Sequence, residues 1–185
     1  MVQIPAENNP LAGKTIAILA THGFEQSELV EPKRLLEQAG AKVEVVSPEA
    51  GTIRGWDKKD WGDEVAVDTA LASANAEDYD ALVLPGGVIN PDKLRINEDA
   101  IAFIRASFDA GKPVAAICHG PWLLIEADLV EGHNVTSWPS LRSDLENAGA
   151  VWQDSEVVED GGLITSRKPG DIPAFTEAVI AALSP

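Results

Sequence analysis

The 185-residue chain has a single cysteine. No intrachain disulfide framework can form, and the paired-cysteine spacing of a zinc ribbon is absent as well. Basic residues are scarce: 14 Lys and Arg stand against 30 Asp and Glu, a formal net charge of -16. A surface of that sign repels phosphate backbones and anionic lipid over a Debye length, which argues against nucleic-acid and membrane partners. No window approaches the run of about twenty apolar residues that spans a bilayer. The opening Met1-Val2-Gln3-Ile4-Pro5-Ala6-Glu7 has neither the basic stretch nor the apolar run of a signal peptide, so a cytoplasmic protein is expected. No internal repeat or low-complexity tract is present, and no Gly-x-Gly-x-x-Gly phosphate loop follows the first predicted strand. No cofactor and no metal are therefore expected.

What is present is ordinary for a globular protein, with 45% apolar and 24% charged residues. A chain of this length fits one domain that buries roughly two-thirds of its unfolded surface. Residues 1–13 read as a flexible polar lead-in, and 14–185 as a single α/β domain. Thr15-Ile16-Ala17-Ile18-Leu19-Ala20 is a continuous apolar run, as in a central strand covered on both faces. Leu29, Leu35, Leu36 and Ala39 follow at near-helical spacing, Gly40 supplies a stop, and Lys42-Val43-Glu44-Val45-Val46-Ser47 resumes a strand. From Pro48 to Asp80 the pattern loosens into a hairpin-like excursion and a short helix. Strands are then predicted at Ala81–Leu84, Val114–Ile117, near Val135-Thr136, at Val157-Val158 and at Leu163–Thr165. Helices are predicted at about Glu98–Ala110, Pro121–Asp128, Leu141–Ala148 and Ile172–Leu183. This alternation implies a mostly parallel sheet with helices on both faces, whose ligands sit beyond the carboxyl ends of the strands. Three segments qualify: Thr21–Glu25, Pro85-Gly86-Gly87 and Cys118-His119.

Ala116-Ile117-Cys118-His119-Gly120-Pro121 places a nucleophile where a buried strand turns into a helix, with Gly120 relieving the turn and Pro121 suited to the first helical position. A free cysteine is most often a small buried hydrophobe. Here the strand end, the Gly-Pro start, the adjacent histidine and the separate Pro-Gly-Gly turn favour a reactive thiol. Its pKa would be lowered by the N–H groups and dipole of the helix, giving a thiolate at neutral pH. His119 is either the base or a turn histidine bonded to backbone, since neighbouring side chains normally diverge. His22 follows the first strand and could line the same crevice. Gly86, Gly87 and His119 could aim backbone N–H groups at a developing oxyanion. Glu25 is either a first-turn carboxylate favoured by the dipole or a protonated carboxyl pointing at Cys118. Trp122 either walls the pocket or packs on a partner subunit, and Arg167 either binds an acidic substrate group or is solvated surface.

Ala81-Leu82-Val83-Leu84-Pro85-Gly86-Gly87, the stretch Ala116–Pro121, Thr136-Ser137-Trp138-Pro139-Ser140 and Ile164-Thr165-Ser166-Arg167-Lys168-Pro169 together resemble the PfpI family of intracellular cysteine peptidases, in the superfamily of the parkinsonism-associated protein deglycase. The resemblance runs from about Lys14 to the C-terminus. It implies a flavodoxin-like three-layer sandwich, Cys118 as nucleophile, Glu25 as the acid bonded to its sulfur and His119 as base. It also implies an acid supplied by a neighbouring subunit, matched here by Asp92, where the family carries Glu on a loop one residue shorter. A homodimer or higher homo-oligomer, up to a hexamer, would then assemble the site near a subunit interface. Implied substrates are peptides, glycated proteins or small dicarbonyls. Activities of the family include proteolysis, deglycation and glutathione-independent glyoxal conversion, and members also serve as stress proteins. A redox-sensing or chaperone-like protein that uses oxidation of Cys118 is the alternative. Class I glutamine amidotransferases share a cysteine elbow, but their distant His-x-Glu pair has no counterpart, since no histidine follows His133.

Overall fold

The computed structural model describes residues 9–184. A seven-stranded sheet dominates. Its strands, in chain order, are β1 (Thr15–Leu19), β2 (Lys42–Ser47), β5 (Thr69–Ala70), β6 (Ala81–Leu84), β7 (Val114–Ile117), β10 (Val158–Asp160) and β11 (Leu163–Ser166). A hairpin of β3 (Thr52–Asp57) and β4 (Asp60–Ala66) and a small pair of β8 (Asn134–Val135) and β9 (Val151–Trp152) stand apart from it. The helices are α1 (Gln26–Gln38), α2 (Ile89–Leu94), α3 (Glu98–Asp109), α4 (Pro121–Glu126), α5 (Arg142–Asn147) and α6 (Ile172–Leu183).

The strand order is β10-β11-β7-β6-β1-β2-β5, parallel throughout except for the β10–β11 edge pair. This is the flavodoxin-like three-layer sandwich. Period-two alternation explains why β1 is apolar on both sides. Ile16 and Ile18 enter one core with Leu29, Leu35 and Leu36 of α1 and Phe175 and Val179 of α6. Ala17 and Leu19 enter the other with Leu94, Phe103, Ile104, Leu123 and Leu145 of α2 to α5. Each large side chain so buried contributes roughly 2 kcal/mol by leaving water.

The chain turns from the β2 side of β1 to the β6 side, so the crevice between the carboxyl ends of β1 and β6 is the switch point where such sheets bind ligands. The loops after β1, β6 and β7 converge beside it: Glu25 N–H donates to Gly86 O, and Cys118 N–H donates to Ser166 O.

Some expectations change. Residues 1–8 of the expected lead-in lie outside the described residues, whereas 9–13 form a turn in which Leu11 is fully buried and donates its N–H to Ala39 O. That part of the lead-in is packed rather than frayed. The segment after Pro-Gly-Gly, expected as a loop, is helix α2, because Pro91 falls in the first turn, where its missing N–H costs nothing. Helix α4 stops at Glu126, two residues earlier than the spacing suggested. The excursion after β2 is the β3–β4 hairpin followed by two single-turn 3-10 segments rather than an α-helix.

Candidate active site

Cys118 sits directly after β7 with φ 63°, a left-handed conformation that costs about 1 kcal/mol or more for a residue with a Cβ. The surroundings impose it. Its N–H continues the β7–β11 pairing to Ser166 O, its carbonyl accepts Trp138 N–H at 2.9 Å, and Gly120 N–H closes the turn on Ile117 O at 2.8 Å. The left-handed turn has a chemical result. Cys118 Sγ and His119 Nδ1 lie 3.2 Å apart, so these sequence neighbours converge where an extended or helical backbone would splay them. Cys118 is buried, with 8% of the residue exposed.

The carboxyl beside the sulfur belongs to Glu28, not to Glu25. Glu25 is the residue before α1, and its side chain accepts from Ser27 Oγ at 3.2 Å. Glu28, one turn in, is fully buried: Oε2 accepts Gly86 N–H at 2.8 Å, Oε1 has no nitrogen or oxygen partner, and the carboxyl interacts directly with Cys118. Burial pushes its pKa up to about 8, against the pull of the Gly86 hydrogen bond. Glu28 therefore keeps its proton at neutral pH. Glu25, half-buried, is also raised by burial, with its Ser27 bonds working the other way.

Burial raises the Cys118 thiol too, and negative charge on Glu28 would raise it further, while the backbone N–H groups of Gly87 and His119 pull it down. A resident thiolate held by the helix dipole is thus not what the site contains. Helix α4 has six residues, too few for a strong dipole, and the sulfur is desolvated. His119 moves in the opposite sense: burial lowers its pKa, so the ring is neutral at pH 7 and free to take a proton.

Gly86 has a specific steric reason. A Cβ there would lie 2.6 Å from Glu28 Oε2 and 2.7 Å from Cys118 Cβ, so only glycine lets the loop approach the sulfur this closely. Its N–H is taken by Glu28, which removes Gly86 from the expected oxyanion donors and leaves those of Gly87 and His119. The loop is pinned from below by Asn90, fully buried on α2. Its Oδ1 accepts Thr21 N–H at 2.8 Å, and its Nδ2 donates to Pro85 O at 3.0 Å and Gly86 O at 3.3 Å.

The model of the DJ-1/PfpI family matches residues 14–182. The chain belongs to the DJ-1/PfpI family. General stress protein 18 of Bacillus subtilis is 44% identical over 173 residues, covering 92% of this chain and 98% of the relative. Deglycase PfpI of Pyrococcus furiosus is 42% identical over 168 residues, covering 91% and 98%. The crystal structure of Drosophila melanogaster DJ-1beta superposes with a TM-score of 0.84 at 30% identity, covering 92% of this chain and 90% of that one.

Within this DJ-1/PfpI chain, no hydrogen bond joins His22, Arg167 or Asp92 to the sulfur among the described residues. His22 Nδ1 accepts Arg54 N–H at 3.0 Å, so the ring fastens the β3–β4 hairpin to the loop after β1. Arg167 is spent on ion pairs, with Nε and Nη2 on Asp171 and Nη1 on Asp154 at 2.8 to 3.0 Å, and cannot serve as a free anchor for an acidic substrate. Asp92 is exposed in the first turn of α2, and no hydrogen bond joins it to His119 among the described residues. Trp122 packs against His119 itself, with ring centroids 5.1 Å apart. Among the described residues no three His, Cys, Asp or Glu side chains gather as metal ligands would, and no helix is long and apolar enough to cross a membrane.

Proposed function

We propose that this DJ-1/PfpI protein is a cysteine-dependent hydrolase that removes glyoxal-type adducts from amino groups or thiols. The observation that carries this is the 3.2 Å approach of Cys118 Sγ to a neutral His119 Nδ1. The names of its relatives, a deglycase and a general stress protein, support the same activity.

Sulfur must lose its proton as it bonds to the carbonyl carbon of the adduct. His119 takes that proton at Nδ1, general-base help worth roughly 10² to 10⁴ in rate. The carbonyl electron pair moves to oxygen, toward the N–H groups of Gly87 and His119 that already point at the sulfur. Glu28 stays neutral beneath, so no second negative charge opposes the developing anion. As the oxyanion collapses to a thioester, the hydrogen of the attacked carbon shifts to the neighbouring carbinol carbon and expels the amine or thiol, which takes the proton of the imidazolium. Water then hydrolyses the hydroxyacyl thioester to glycolate and the free cysteine. Peptide cleavage and conversion of free dicarbonyls begin with the same addition step.

The test is a panel of glyoxal-treated N-acetyl-lysine and N-acetyl-arginine, free glyoxal and a peptide, with wild type and Cys118→Ser. Loss of amine release in the variant is expected. Turnover retained by Cys118→Ser on all substrates would remove the proposal.

A second activity, redox sensing, is favoured by one feature: the unpartnered, protonated Glu28 Oε1 could donate to an oxygen on the sulfur. Two equivalents of peroxide would convert the thiol to a sulfinate and release two waters. A stable two-oxygen mass gain abolished by Cys118→Ser is the expected result, and an unmodified thiol would exclude it.

A further inference from the structure

The loop after β6 carries two consecutive peptide groups past the sulfur, and each of their polar atoms has an identifiable partner. In the first, Gly86 N–H donates to Glu28 Oε2 at 2.8 Å and the carbonyl of Pro85 accepts from Asn90 Nδ2 at 3.0 Å. In the second, the carbonyl of Gly86 accepts twice, from Glu25 N–H at 3.2 Å and from Asn90 Nδ2 at 3.3 Å. That leaves Gly87 N–H, the donor that points at Cys118.

A peptide group is planar and trans, so its C=O and N–H point in opposite directions, and holding Gly86 O aims Gly87 N–H. This particular peptide needs holding. It joins two glycines, the second with φ 77°, and lacks the Cβ atoms that ordinarily resist rotation by half a turn. Flipped, it would present a carbonyl oxygen to the sulfur, and one of the two oxyanion donors would become a repelling dipole. Asn90 opposes the flip with a side chain whose own orientation is fixed. Its Oδ1 accepts Thr21 N–H at 2.8 Å, which leaves the two hydrogens of Nδ2 for Pro85 O and Gly86 O. Aspartate has no such donors when ionised, and glutamine is one methylene longer. Asn90 is fully buried, where a lost bond is not made good by bulk water.

We infer that Asn90 is a positioning residue that locks the Gly86–Gly87 peptide with its N–H toward Cys118, so that one wall of the oxyanion hole is set from within α2. No hydrogen bond joins Asn90 to Cys118 or His119 among the described residues; it acts through the loop. The inference rests on the proposed hydrolysis, in which a carbonyl oxygen becomes an anion beside Gly87. It also separates two reactions of one thiol. Carbonyl addition calls on Gly87 N–H. Alkylation by iodoacetamide does not, because the S–C bond forms as the C–I bond breaks and the charge leaves on iodide, although both reactions need Cys118 to give up its proton.

Turnover of glyoxal-treated N-acetyl-lysine, the second-order rate of Cys118 alkylation by iodoacetamide, and a thermal melt are measured for wild type, Asn90→Ala, Asn90→Ser and Cys118→Ser. Asn90→Ala is expected to melt lower and to lose about 10² in kcat, with KM and the alkylation rate within about twofold of wild type. Asn90→Ser, whose single shorter hydroxyl cannot hold both carbonyls, should show the same split more mildly, and it carries the comparison if Asn90→Ala does not stay folded at the assay temperature. Turnover retained by Cys118→Ser would overturn the hydrolase reading and the inference with it. Wild-type turnover that is abolished in Cys118→Ser, yet is undiminished in the Asn90 variants or falls there only in proportion to alkylation, would overturn the positioning role alone.

Discussion

Replacing Glu28 by Gln removes one ionisable proton from beneath the sulfur while keeping a similar shape and hydrogen-bonding pattern. The amide oxygen can still accept Gly86 N–H, and the amide nitrogen can face Cys118 as the protonated carboxyl does. The sign of the stability effect follows from proton counting. The folded pKa is about 8 against an ordinary 4.5, so between those values the unfolded chain releases a proton that the folded chain retains. Stability from this group is therefore greatest at low pH and falls as pH rises through that window. At about 1.4 kcal/mol per unit the full loss by pH 8 is about 4 kcal/mol, part of it shared with the coupled thiol. Urea unfolding of wild type and Glu28→Gln at several pH values between about 5 and 8 measures it. The difference between the two chains cancels the other carboxylates. The variant should gain on wild type steadily with pH, by about 2 to 4 kcal/mol over the range. Parallel curves would show that Glu28 ionises normally and would refute the protonated-carboxyl account.

Three other predictions follow from individual contacts. Asn90→Ala leaves the Thr21 N–H and the carbonyls of Pro85 and Gly86 without their buried partner, and should cost about 2 to 3 kcal/mol in chemical denaturation while slowing turnover through a displaced Gly87. Arg167→Ala strands the buried Asp171 and should lower the melting temperature without raising KM for any substrate tested; a selective rise in KM for acidic substrates would contradict its purely structural role. His119 is held below the ordinary 6.5, so the acidic limb of kcat/KM, where protonation removes the base, should lie below pH 6.5; a midpoint above that value would contradict the buried neutral ring.

Much of the scaffold was legible because its signals are local. The apolar run of β1, the glycine stop after α1, the boundaries of α6 and the strand-to-helix turn at Cys118 follow from periodicity and from glycine and proline placement. What could not be read locally was which carboxyl reaches the sulfur. Glu25 stands first after β1, but at the position before a helix its side chain turns back to Ser27. Glu28 shares the inward stripe of α1 with Leu29, Pro32, Leu35 and Leu36, and an acidic residue on an otherwise apolar face was the available signal. The thiolate expectation failed for a related reason. It rested on a helix start visible in sequence, whereas the desolvation that opposes it exists only once the loop after β6, the end of β7 and α1 close over the thiol. The convergence of Cys118 and His119 likewise depends on a backbone angle that no residue type announces.

The central claim is that Cys118 forms the covalent bond. Intact-mass analysis of acid-quenched wild-type protein, taken within the first turnovers on glyoxal-treated N-acetyl-lysine, tests this directly. A transient adduct localised to Cys118 by peptide mapping, absent in Cys118→Ser and longer-lived in His119→Ala, is the result predicted. Steady amine release with the sulfur unmodified at every time point would contradict it.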